Sequence, residues 1–157
     1  MLGESFEPVR GRVVVEDGRI EAIEETDTDS TDVVVPAFVN AHTHLGDSVA
    51  KDAAAGLSLD EAVAPPDSLK HRRLAAADRD ELVTAMRRTL RFAGRTGTAS
   101  CLDFRESGVD GARALRDAAA PLAVDGFVFG SDDPAVLDVA DGYGASGAND
   151  DDFAVER

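Results

Sequence analysis

The sequence predicts an α/β fold, on three observations. Beyond about residue 37, short β-prone runs alternate with segments of helical periodicity. Two of those segments, near 79–94 and 109–119, carry apolar residues at helical spacing and end in turn or proline signals. Ahead of them, Asp17-Gly18 sits between two short apolar runs, the pattern of a tight hairpin. Strands separated by helices pair in parallel through helical crossovers, which makes the class α/β. With 157 residues and 43% hydrophobic content, the chain has enough material for one real core.

The elements follow in order. "GRVVVEDGRIEAI", 11–23, is expected to fold as a hairpin with a type I′ turn, setting Glu16 opposite Arg19 and Val15 opposite Ile20. The acidic stretch Glu24 to Asp32 reads as a loop, and Val33 to Val35 as a resumed strand broken at Pro36, which has no N–H to donate. A small β unit over 1–36 and a second unit over 37–157 are therefore expected. In the second unit, Asp78 and Glu81 resemble a capping pair, and Leu82, Val83, Met86, Leu90 and Ala93 form an apolar stripe, with Arg87, Arg88 and Arg91 more exposed. "TASCLDF", 98–104, reads as a buried strand. Val109, Ala112, Leu115 and Ala119 mark a second helix, stopped by Pro121. "LAVDGFVF" is a further strand, Pro134 opens a short helix, and Val139 to Ser146 is one more strand.

Charge narrows the partners. The net charge is −15, from 31 acidic and 16 basic residues, and Lys51 and Lys70 are the only lysines. Such a surface repels nucleic acid and suits concentrated salt, so a halophilic protein is expected. No run approaches the roughly 20 apolar residues of a membrane span, and "MLGESFEPVR" lacks the pattern of a secretory signal, so the cytoplasm is the expected compartment. Cys101 is the single cysteine and reads as a buried small apolar residue.

"VVVPAFVNAHTHLGDS", 33–48, holds two of the three histidines. In a strand, residues two apart share a face, so His42 and His44 would point the same way with Asn40, and Ala41 and Thr43 the other way. Two imidazoles on one face can converge on one ion. Spacing alone leaves a hydrogen-bonded core or surface pair equally open, but the pair closes the first parallel strand, the end at which α/β folds place their sites.

"VPAFVNAHTHLGDS" resembles the first barrel strand of the amidohydrolase superfamily, and "VVVEDGRIEAIEE" resembles the N-terminal β-sandwich piece of its members. "GTASCLDF" resembles the second barrel strand of deaminase-like members; Ala37 stands where glycine is usual. The resemblance implies a (β/α)8 barrel, of which about four βα units are present, and a divalent metal, often zinc, at its mouth. His42 and His44 match the first two ligands. It implies hydrolysis of a carbon–nitrogen bond in a small-molecule substrate. The further ligands of such members, histidines and an aspartate from later strands, have no match here, and a whole barrel needs about 250 residues. Weak metal binding, a truncated or split reading frame, and association with another copy or with a separately encoded C-terminal half are the expectations.

Other residues also invite functional readings. Asn40 is a support for the histidines or a strand-end cap. Asp47 and Ser48 are substrate contacts or helix caps. Asp103, Arg105 and Glu106 follow the second strand and are substrate contacts, supports for the site, or surface charge. His71 reads as a solvated surface residue. "GYGASG", 142–147, fits the dinucleotide spacing but lacks a following helix and acidic residue, and reads as a glycine-rich strand end.

Overall fold

A computed structural model describes residues 7–145. The chain divides into two compact units, Met1–Ala37 and Phe38–Arg157.

The first unit is built on an antiparallel pair, β1 (Gly11–Glu16) and β2 (Arg19–Glu25). Glu16 pairs with Arg19 and Val15 with Ile20, as the loop length requires. Asp17 and Gly18 both take positive φ, 49° and 75°, the backbone a type I′ turn demands and the reason Gly suits the second position. Beyond the turn the register slips at Val14/Val15, a bulge, and β2 runs two residues past the expected end, to Glu25. Val33 to Val35 are not a strand; the next one starts only after Pro36, at Phe38. Three β-branched residues supplied the propensity, but propensity forms a strand only where a ladder is available.

The second unit is a parallel sheet backed by helices. Its strands are β3 (Phe38–Thr43), β4 (Thr98–Arg105), β5 (Asp125–Gly130) and β6 (Gly142–Tyr143), adjacent in that order. Between β3 and β4 come two short 3₁₀ stretches, Leu45–Val49 and Lys51–Ala54, then α1 (Leu59–Val63), α2 (Leu69–Ala76) and α3 (Arg79–Arg95). α4 (Gly108–Ala119) crosses from β4 to β5, and a 3₁₀ turn at Pro134–Asp138 leads to β6. β5 begins at Asp125, three residues after the expected start, and β6 is far shorter than Val139 to Ser146; Ser146 and Gly147, the last two residues of "GYGASG", lie outside the described residues.

α3 starts where its cap dictates: the Asp78 carboxylate accepts the Glu81 amide at 2.8 Å. Its Val83, Met86 and Leu90 are buried against Ala112, Leu115 and Ala118 of α4, and this layer covers Cys101 of β4 and Val128 of β5. Alternation along β4 sends Cys101, Asp103 and Arg105 into that layer, all three buried. The sheet also leaves large apolar side chains in solvent, with Phe38, Val39 and Phe127 at 62%, 66% and 46% exposure. Among the described residues no helix is long and apolar enough to cross a membrane.

Candidate functional site

His42 and His44 meet at the C-terminal end of β3, their Nε2 atoms 3.3 Å apart. Alternation alone puts both on one face, but the ladder that carries them is irregular. Asn40 lies opposite Cys101 and Thr43 opposite Asp103, so β3 uses one residue more than β4 across the step, a β-bulge. Within the bulge the His42 amide is taken up by the Asn40 side-chain oxygen at 3.3 Å, so Asn40 acts on the backbone of the first histidine. The His42 ring packs on Phe104 of β4 with centroids 4.7 Å apart, and Phe104 packs in turn on Phe129 of β5 at 5.9 Å.

A single buried carboxylate fixes the chain on both sides of His44. Asp103 accepts from the Thr43 hydroxyl at 3.0 Å and from the Leu45 amide at 2.5 Å, both through Oδ1. Its Oδ2 is buried without a hydrogen bond, and its nearest cation is Arg105 Nη1 at 3.5 Å. Burial pushes the Asp103 carboxyl up to about 6, against the pull of Arg105 and the two donors. Arg105 lies under Gly46, so close that a Cβ at that position would overlap its guanidinium, which gives the glycine after "HTHL" a steric reason.

Outside this buried pair runs a chain of alternating charge. Arg105 bonds Glu106 Oε2, Lys70 Nζ bonds Glu106 Oε1 at 2.6 Å, and Lys70 also reaches Asp47 Oδ2 at 3.3 Å. Glu106 Oε1 stands 3.7 Å from His44 Nδ1. Burial raises the Glu106 carboxyl, but Arg105 and Lys70 outweigh it and hold the group below its ordinary value. Burial likewise lowers Lys70, and Glu106 and Asp47 outweigh it to keep the amine above the usual lysine value. His44 is lowered, by its own burial first and by Lys70 second, and so is neutral at pH 7.

The sequence-predicted residues thus divide. His42, His44 and Glu106 gather at the strand ends and Asn40 sits within β3, bonded to the His42 amide, whereas Asp103 and Arg105, 0% and 4% exposed, lie beneath. Asp47 pairs with Lys70 and makes no side-chain cap; Ser48 bonds Thr89 of α3 at 2.8 Å. His71 is half-buried rather than solvated, bonded through Nδ1 to the Ser68 hydroxyl at 2.7 Å. Cys101 is buried, and burial raises its thiol. Sequence reasoning missed Lys70 and Phe104. Lysine scarcity was a usable signal for Lys70; nothing local marked Phe104.

Two imidazole nitrogens suit a divalent transition metal, and the 3.3 Å gap matches the spacing of two donors on a tetrahedral ion, about 3.3–3.4 Å for metal–nitrogen bonds of about 2.0–2.1 Å. The fit covers two positions: among the described residues no group of three or more His, Cys, Asp or Glu is placed to hold an ion. Clefts of about 440 and 260 Å³ flank α3, and neither is lined by His42 or His44.

A parallel α/β unit with paired histidines at the C-terminal end of its first strand carries metal-ligand-type side chains where such folds place their sites. The chain belongs to the amidohydrolase family, whose model matches residues 33–148. It is 38% identical over 145 residues to a Methanothermobacter thermautotrophicus protein named "Putative aminohydrolase", covering 88% of this chain and 38% of that one. An uncharacterised protein of Methanocaldococcus jannaschii is 32% identical, covering 96% of this chain and 43% of its own length. A second "Putative aminohydrolase", from Archaeoglobus fulgidus, is 36% identical, at 72% and 34% coverage. The chain therefore spans about two-fifths of the length of the curated relatives it matches. No solved structure matches it.

Proposed function

We propose that residues 37–157 form the first part of a metal-dependent (β/α)8 hydrolase, preceded by a β-sandwich-type piece over 1–36, and that the assembled enzyme hydrolyses a carbon–nitrogen bond in a small molecule. His42 and His44 supply two ligands for a divalent ion, most simply zinc. The observation that carries the reading is the 3.3 Å approach of their Nε2 atoms at the C-terminal end of a parallel strand. When bound, such an ion supplies Lewis acidity and a more acidic water. The chain's own residues do the rest. Phe104 packs against the His42 ring; Asn40 holds the His42 amide; Asp103, itself held toward Arg105, pins Thr43 and Leu45 and so sets the path of the backbone through His44. Two donors fall short of the three protein ligands of a typical catalytic zinc site, so the remaining donors come from polypeptide beyond residues 7–145.

The test is metal titration of the full chain, with cobalt absorption and zinc calorimetry. Weak, single-site binding is expected, with His42→Ala and His44→Ala each abolishing it and His71→Ala leaving it unchanged. Binding untouched by the first two substitutions would overturn the assignment.

A second reading takes the chain as a non-catalytic module that recruits another segment or copy, favoured by the exposure of Phe38, Val39 and Phe127. A well-folded monomer at high salt, measured by light scattering, counts against it.

A further inference from the structure

We propose that Lys70 and Glu106 form a positioning pair that sets the tautomer of His44, with Lys70 tethering from α2 the carboxylate that faces the ring. This rests on the reading of His44 as a metal ligand, since its purpose is to leave Nε2 with a free lone pair.

The geometry is specific. Glu106 is gripped at both oxygens, Oε2 by the buried Arg105 and Oε1 by Lys70 at 2.6 Å. The oxygen that Lys70 holds is the one 3.7 Å from His44 Nδ1, while the opposite nitrogen, Nε2, faces His42. A neutral imidazole carries its proton on one nitrogen only, and the partner of one nitrogen decides the state of the other. The negative charge of that carboxylate favours the imidazole proton on the nearer nitrogen, Nδ1, which makes Nε2 the acceptor. In the metal-free chain the 3.3 Å contact then requires His42 to donate from its own Nε2. The two rings thus have opposite tautomers, and only His42 must change on taking a metal.

Lys70 is built for this task rather than for solubility. Its side chain is 13% exposed, it is one of two lysines in a chain whose other basic residues are arginines, and Asp47 holds it from the other side at 3.3 Å. Because Arg105 and Lys70 approach from different elements, the carboxylate cannot follow either one away from the ring while both are in place. Loss of Lys70 leaves Oε1 free to turn.

The experiment is long-range ¹H–¹⁵N correlation of the imidazole nitrogens in the labelled, metal-free full chain, with His42→Gln, His44→Gln and His71→Gln for assignment. Wild type is expected to show His44 mainly as the Nδ1–H form and His42 mainly as Nε2–H. Lys70→Met and Glu106→Gln should each shift His44 toward Nε2–H, and Lys70→Arg should restore the wild-type pattern. Thermal midpoints taken alongside separate this from simple loss of structure, and zinc affinity should fall about 10-fold or more in the first two variants. If Lys70→Met does not fold, Glu106→Gln decides. An Nε2–H majority for His44 in wild type, or a tautomer unmoved by Glu106→Gln, overturns the proposal even if zinc still binds. Loss of the zinc reading with the tautomer pattern intact would leave the pair in place and remove only its purpose.

Discussion

A carboxylate with no solvent exposure, as at Asp103, is held in the fold against its own hydration. In the unfolded chain it titrates near 3.8 and in the folded chain near 6. Between those values the folded state binds more protons than the unfolded one, so this group's contribution is full below about pH 4 and is lost as pH rises through about 6. The amount is on the order of 3 kcal/mol. Glu106 runs the other way: held below its ordinary value, it contributes above 4.5 and that contribution is lost in more acidic solution. Urea unfolding across this range should therefore show wild-type stability falling from about pH 4 to about pH 6 relative to Asp103→Asn. Parallel profiles would contradict the assignment. None of this was legible from "LDFRES", because burial of an aspartate depends on which way β4 alternates and on what covers that side. Glu106 was legible as a residue near the strand end, but its partner Lys70 is brought to it only by the fold.

The elements that sequence predicted well are those whose instructions are local. α3 has a cap, an apolar stripe and a clear end, and the Asp17-Gly18 turn fixes its own register. Asp78→Ala should lower stability by about 1 kcal/mol through loss of the Glu81 amide's partner, read as a reduced urea midpoint with unchanged slope. A change within error would mean that tertiary packing alone sets the start of α3. Val33 to Val35 failed as a strand, and the 3₁₀ stretches after His44 went unseen, for a shared reason: both depend on the neighbours available in three dimensions. The histidine pair was legible, yet the strand that carries it is bulged, and no local signal announces an added residue in one strand of a parallel ladder.

For the molecule as a whole, the sequence carried the α/β class, the family and the residues that converge, while the completing donors of the proposed site have no counterpart among residues 7–145. Its charge makes a separate prediction. At −15, self-repulsion works against the compact state and salt screens it, so the thermal midpoint should climb steadily as KCl rises from about 0.1 to about 2 M. A flat response in calorimetry would remove the halophilic interpretation. The bulge in β3 carries a last implication, for the gene rather than the protein. Where β4 advances from Cys101 to Asp103, β3 advances from Asn40 to Thr43, so His42 lies inside the irregular step and His44 directly after it. Loss of one codon there would leave every ligand type present in the translated product and still hand Asp103 a different neighbour on the adjoining strand, where Thr43 now donates to it.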